Sequence, residues 1–260
     1  MNRVLVCTLS FNRQPFTKRF LETFFAATSE PIDLVIIEQG SGEPAKKLCR
    51  LVDGKTTENG STIRVIWNER NVGIPAGLNQ AMSLKFTEQH YMKIDNDVIF
   101  PLGYPEWLTH IIEIAENHPD KDPVKIMGLS PFDHNRPMSE RGNIRPIKLK
   151  NGKQYDIEFW QHNLLEMALF ISRDVVNRVG KWDEKGLLYG YEGGWYQSRA
   201  NCSKAYFHTY RAVHGDSMDL LESNVQKTKE LDLLRGSRDG QVFLEQYSED
   251  VSPLNIKFRE

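Results

Sequence analysis

The 260-residue chain has only three cysteines, Cys7, Cys49 and Cys202, which stand far apart with no C-x-x-C pair. Neither a disulfide framework nor a zinc knuckle is therefore supported. Long apolar runs are missing too. Stretches such as Leu34 to Ile37 and Met167 to Ile171 fall far short of the roughly 20 residues that a membrane-spanning helix needs. Met1, Asn2 and Arg3 lead straight into a strand-like run, with no apolar signal core or small-residue cleavage site, so a cytoplasmic chain is expected. Neither sign of charge dominates: 33 Lys and Arg face 35 Asp and Glu, a formal net charge of −2. No whole-molecule basic field recommends nucleic acid as a partner. Gly/Ser linkers, internal repeats and low-complexity tracts are also lacking. What is present, 40% hydrophobic and 26% charged residues, is ordinary globular composition, and the length suits one large or two small domains.

The apolar pattern alternates between two periods. Val4 to Leu9 is a short continuous apolar run of the kind found in a parallel strand covered on both faces. Phe16, Phe20, Leu21, Phe24 and Phe25 recur at helical spacing up to Ala27, and Ile32 to Ile37 is a second buried strand. A turn at Gly40-Ser41-Gly42, a helix over Pro44 to Val52, a strand at Ile63 to Trp67 and a helix from Pro75 to about Phe86 follow. Tyr91 to Ile94 then enters Asp95-Asn96-Asp97, with Val98 to Phe100 beyond. This order predicts an open α/β sheet with helices on both faces over about the first 100 residues. The second half is less regular. A helix is expected at Trp107 to Glu116, strands at Lys125 to Leu129 and Leu164 to Ile171, and a short helix at Arg173 to Val179 ending on Gly180. Phe132 to Lys153 reads as a polar loop or hairpin carrying Arg136, Arg141, Arg145, Lys148, Lys150 and Lys153. Beyond His214, Leu220, Leu221, Val225, Leu231 and Leu234 form a loose helical stripe. Closure over a site, packing on the sheet and a homodimer contact are all open to that stripe.

Several chemistries drop out for want of their motifs. No G-x-G-x-x-G and no G-x-x-x-x-G-K-[ST] follows the first strand, and G-x-S-x-G and H-E-x-x-H are absent. Ligands of open α/β sheets sit beyond the carboxyl ends of the strands. The informative residues are thus Ser10, Asn12 and Arg13 after the first strand, Glu38 after the second, Asn71 and Gly73 after the third, and Asp95, Asn96 and Asp97 after the fourth. Two carboxylates one residue apart are hard oxygen donors suited to Mg²⁺ or Mn²⁺, which keep positions open for phosphate oxygens. A solvated turn is the alternative.

Taken in order, these segments resemble the family 2 glycosyltransferases of the GT-A fold, over roughly residues 3–215. Val4 to Arg13 is similar to that family's strand ending in P-T-Y-N-R, with Leu9 in place of the proline. Leu34 to Ser41 resembles its I-V-V-D-N-G-S, in which the acid faces the nucleoside. Asn71-Val72-Gly73 with Gly77-Leu78-Asn79 resembles its N-x-G...G-x-N, and Asp95-Asn96-Asp97 falls at its D-x-D. Val179 to Glu184 is similar to V-G-x-F-D-E, Tyr189 to Glu192 to F-x-Y-E-D, and His214 to a late metal-binding histidine.

The resemblance implies a Rossmann-like, mostly parallel central sheet flanked by helices, with a nucleotide-binding half over about 1–100 and an acceptor-binding half over about 101–215. Residues 216–260 are an appended helical segment and tail. It also implies sugar transfer, with inversion, from a nucleotide-sugar, a UDP-sugar first, to an acceptor hydroxyl. Ser10, Asn12, Arg13, Glu38, Asn71, Gly73, Asn79, Asp95 and Asn96 would face the donor, and Asp95, Asp97 and His214 would hold Mn²⁺ or Mg²⁺. The family's second acid is missing, since Gly193 follows Glu192. Glu192 is then the candidate base, with Asp183 as the other. The cationic stretch suits an anionic acceptor such as a glycan, a lipid-linked sugar or modified DNA, or is simply a solvated loop. Trp160, Trp182 and Trp195 are either platforms for a sugar face or core. A nucleotidyltransferase and a non-catalytic sugar-nucleotide or glycan-binding module are the competing readings.

Overall fold

The computed structural model describes residues 3–118, 124–131, 143–185, 192–214 and 249–259. The expected Leu220 to Leu234 stripe, Tyr189 to Tyr191, Arg136 and Arg141 lie outside them. Chain order runs β1 (Val4–Ser10), α1 (Gln14–Ala27), β2 (Asp33–Gln39), α2 (Glu43–Val52), β3 (Thr62–Asn68), α3 (Ile74–Met82), β4 (His90–Ile94) and β5 (Val98–Ile99). It continues through α4 (Trp107–Asn117), β6 (Val124–Pro131), β7 (Asn143–Lys148), β8 (Gln154–Trp160), β9 (Ala168–Ile171), α5 (Arg173–Val179), α6 (Glu192–Ala200) and β10 (Ser203–His214).

These strands form one sheet in the order β3-β2-β1-β4-β9-β6-β10-β8-β7, and β5 pairs with the end of β10. The first four are mutually parallel. Beyond them β9 runs antiparallel to both neighbours, β6 and β10 are parallel, and β8 and β7 close the sheet as an antiparallel hairpin. The mostly parallel sheet is therefore a property of the first half, and the second half is mixed. From β1 the chain winds outward to β2 and β3, then returns to place β4 on the other side of β1. That reversal is a topological switch point, the position beyond the carboxyl ends of β1 and β4 at which open α/β sheets bind ligands.

Both sheet faces are covered. On one, Phe20, Leu21 and Phe24 of α1 are fully buried, and Phe24 meets Phe100 and Trp107 edge-on at 5.1 and 6.4 Å. On the other, Leu78 of α3, Val175 and Val176 of α5 and Tyr196 of α6 pack on Leu5, Cys7, Tyr91 and Ile171. Two expectations are corrected, and two elements were not expected. The third helix stops at Met82, because the next turn is closed by Lys85 Nζ donating to the carbonyls of Phe86 and Gln89. The strand expected from Leu164 begins only at Ala168, since side chains take the backbone bonds before it. Helix α6 and the twelve-residue β10 had no counterpart in the sequence reading. Of the loop or hairpin expected over 132–153, residues 132–142 lie outside the described residues, and 143–148 pair with 154–160 as an antiparallel hairpin.

Residues 249–259 return to the first half. Lys18 Nζ reaches Asp250 and Ser252 at 2.9 and 2.6 Å, Gln14 exchanges two bonds with the Asp250 backbone, and Glu58 and Arg259 extend the contact. Leu254, Ile256 and Phe258 pack half-buried on the core.

Candidate functional site

The switch point is built from strand ends. Asn12 sits at φ 58°, a left-handed conformation that asparagine tolerates better than most residues. Its amide donates to Ser41 Oγ at 3.1 Å and its Oδ1 accepts from Gly42 N at 2.7 Å, which locks the β1 end to the β2 end. Asn12 Nδ2 is buried without a hydrogen-bond partner among the described residues. An unused buried donor at a strand end is costly unless a ligand meets it. Arg13 reaches across the switch point to Asp97 at 2.8 Å, and Phe16 lies 4.3 Å beneath its guanidinium. Ser10 Oγ and Asn96 Nδ2 both contact Thr17 Oγ1, at 3.4 and 2.9 Å.

Other predicted residues hold the loops around the strand ends. Glu38 is fully buried and its two oxygens accept from Gly40 N and Ser41 N at 3.1 and 2.6 Å. It thereby caps the end of β2 and fixes the turn that follows. Asn71 Oδ1 accepts from Gly73 N at 2.9 Å, and Gly73, at φ 87°, takes a backbone turn closed to most side chains as it leads into α3. Gln39, which like Glu38 follows the second strand, holds that loop through Gly73 O and Val72 N at 3.1 Å each. Asn79 is committed to another loop. Its Oδ1 accepts from Trp182 N at 2.8 Å and its Nδ2 donates to Trp182 O and Glu184. A side chain so occupied anchors the 182–184 turn. Asp183, in that turn, is half-buried and accepts from Lys185 N at 3.0 Å.

A second cluster adjoins the D-x-D. Lys93, a cation inside strand β4, is 3% exposed and donates to Asp95 at 2.6 Å and to the Glu166 carbonyl at 2.9 Å. Burial lowers its pKa, but the surrounding Asp95, Glu166 and Glu192 outweigh that and raise it overall. Asp95 N donates to Met167 O at 2.8 Å. Glu166 Oε2 accepts from Gly193 N, at the start of α6, at 3.0 Å. Burial, reinforced by Glu192 and Asp95 against the pull of Lys93, pushes the Glu166 carboxyl up to about 7. Glu192 is 6% exposed, its Oε2 has no hydrogen-bond partner among the described residues, and Arg199 turns to the Lys181 carbonyl instead of pairing with it. Lys93 and Glu166 were missed by sequence reasoning. The available signal was a charge lodged within an otherwise apolar run.

The backbone of His214 pairs with Val98, directly after Asp97. Among the described residues no three His, Cys, Asp or Glu side chains stand together as a finished metal centre. The donor chemistry nevertheless fits a hard divalent cation, since Asp95 and Asp97 are paired oxygen donors now balanced by Lys93 and Arg13. Of the three tryptophans, Trp182 is core, stacked on Tyr196 at 4.3 Å, and Trp160 meets Tyr206 edge-on. Trp195 alone of the three is exposed. In the cationic stretch, Arg145 stacks 3.9 Å over Phe159 and Lys153 pairs with Glu113 at 2.6 Å, leaving Lys148 and Lys150 exposed. Among the described residues no helix is long and apolar enough to cross a membrane.

A model of glycosyl transferase family 2 matches residues 5–166. Solved structures share the fold. The Staphylococcus aureus TarS 1–349 structure aligns with a TM-score of 0.59 at 13% identity, over 89% of this chain and 65% of that one. The mannosyltransferase PcManGT of Pyrobaculum calidifontis, in complex with GDP-Man and Mn²⁺, aligns with a TM-score of 0.59 at 11% identity, over 92% of this chain and 66% of that one. TarS 1–349 in complex with UDP gives 0.57 at 13% identity, over 81% and 60%. The chain thus spans 60 to 66% of the length of these structures. No curated protein matches it.

Proposed function

The chain belongs to glycosyl transferase family 2, and from that premise we propose that it moves a sugar from a nucleotide-activated donor to an acceptor hydroxyl, with inversion, using Mn²⁺ or Mg²⁺. The observation that carries the reading is the β1/β4 switch point, where Arg13 reaches Asp97 and the Asn12 Nδ2 donor is buried without a hydrogen-bond partner among the described residues. A dinucleotide fingerprint is absent there, and the residues offered are an arginine, hydrogen-bond donors and paired carboxylates. This set suits a nucleoside diphosphate accompanied by a cation.

In this reading Asp97, Asp95 and His214 hold the ion, which when bound supplies charge stabilisation to the departing diphosphate. Arg13 swings between Asp97 and the phosphates, and Ser10, Asn12 and Asn96 line the nucleotide. Glu38 acts through the turn it fixes. Trp195 is the aromatic face available to a sugar. Solved proteins of the same fold hold UDP in one case and GDP-Man with Mn²⁺ in another, so both nucleotides enter the test, UDP first. An anionic acceptor, whether glycan, lipid-linked sugar or modified DNA, rests on Lys148 and Lys150.

Calorimetry of UDP and GDP binding with and without Mn²⁺, repeated on Asp97→Asn, tests the donor site. Binding that needs the metal, and that weakens at least tenfold in the variant, is the expected result. Binding by neither nucleotide under either condition overturns the reading.

A further inference from the structure

Gly193 stands where the sequence led us to look for an acid, and the space its side chain would fill is already taken. A Cβ built on Gly193 would lie 1.9 Å from Glu166 Cδ and 2.1 and 2.2 Å from its two oxygens. Those distances are far inside van der Waals contact, so no residue but glycine is compatible with Glu166 as placed. The two positions share one volume. The carboxylate that α6 does not supply is delivered there from the loop before β9.

That loop is held from several sides. Gln197 clamps both backbone groups of Leu164, accepting from its N–H at 2.8 Å and donating to its carbonyl at 3.0 Å. Tyr206 OH accepts from Leu165 N at 2.7 Å, Asn163 Nδ2 donates to Gly194 O at 3.2 Å, and Lys93 Nζ donates to the Glu166 carbonyl. The Gly193 amide, at the positive end of a nine-residue helix, fixes one carboxylate oxygen. The other oxygen is left free of any hydrogen bond among the described residues. Preorganisation of this kind is what a reacting group requires.

We propose that Glu166 is the general base of the sugar transfer, its carboxylate replacing, from a different element, the acid absent at position 193. The step balances simply. The acceptor O–H gives its proton to Glu166, its oxygen forms a bond to the anomeric carbon, and the anomeric carbon's bond to the diphosphate breaks with its electron pair leaving on the nucleotide. The proton on Glu166 then passes to water. Burial and Glu192, whose buried Oε2 has no hydrogen-bond partner among the described residues, push the Glu166 carboxyl up to about 7, and Lys93 draws it back toward the ordinary carboxylate range. A base titrating close to the working pH is the efficient kind.

The inference rests on the sugar-transfer reading, so the experiment separates the two. The probe is Mn²⁺-dependent release of nucleoside diphosphate from UDP-glucose and GDP-mannose with water as acceptor, alongside calorimetric UDP and GDP binding. Glu166→Gln should lower turnover by about 100-fold or more, the usual scale for a lost base, with nucleotide affinity within twofold of wild type. Glu166→Gly should be equally slow, and adding Gly193→Asp to it should restore turnover at least tenfold. A purely structural role for Glu166 would not produce that rescue. Wild-type turnover that survives in Glu166→Gln, or a double variant no faster than Glu166→Gly, overturns the proposal while leaving the donor site standing. A wild type that neither binds nor turns over any of these nucleotides overturns both.

Discussion

At the scale of single residues, Glu166 couples chemistry to stability. Its carboxyl titrates at about 7 in the fold against an ordinary value of 4.5. Below pH 4.5 it is neutral in both folded and unfolded chains. Between 4.5 and 7 the folded chain keeps a proton that the unfolded chain has lost, so stability falls as pH rises through that window and the loss is complete above it. The shift corresponds to about 3 kcal/mol. Glu166→Gln should therefore unfold at higher urea than wild type at pH 8 and at a similar concentration at pH 4.5, measured without metal. Equal midpoints at pH 8 would show that burial does not strain this group. Glu166 was not legible in the sequence because it matches no motif and lies in what reads as the start of an apolar strand. Gly193 was legible as a departure, but the reason for it required the third dimension. By contrast Arg13, Asp95 and Asp97 were visible from position alone, since they follow strands whose apolar runs are unambiguous.

At the scale of elements, α6 explains why local pattern fell short. It opens with Glu192-Gly193-Gly194, and each glycine costs roughly 1 kcal/mol of helix propensity. The helix forms because Tyr196 is buried against Trp182 and Gln197 ties it to Leu164. Gln197→Ala would leave the Leu164 N–H and carbonyl buried without partners, a loss of about 2–4 kcal/mol. It should also slow turnover by displacing Glu166 while leaving UDP or GDP affinity intact, a split that steady-state kinetics and calorimetry resolve together. Strand β10 was missed for a related reason. Its pairing with β6 shifts register between Phe207 and Arg211, and such an irregularity blurs the alternation by which strands are read. The β1 to β4 elements carry no such interruption, and the sequence placed them to within a few residues.

At the scale of the whole molecule, the sheet divides its labour. The parallel half presents the switch point, and the mixed half brings Glu166, α6 and the end of β10 to the same edge. Lys93 is the joint between them, tied to Asp95 on one side and to Glu166 on the other. The returning segment 249–259 adds a different kind of link. Gln14 and Asp250 are 236 positions apart in the chain and yet bonded. Closing so long a loop is entropically demanding and gives nothing back until the rest is in place. The clasp is thus expected to dock late, after the folding barrier has been crossed. Removing residues 249–260 should speed unfolding about tenfold or more while barely changing the refolding rate, the signature of contacts absent from the transition state. Stopped-flow chevrons of the two chains would show it. A protein fastened this way resists opening through the lifetime of its folded state, and Lys18 and Asp250 act as a kinetic latch on the half that carries Arg13.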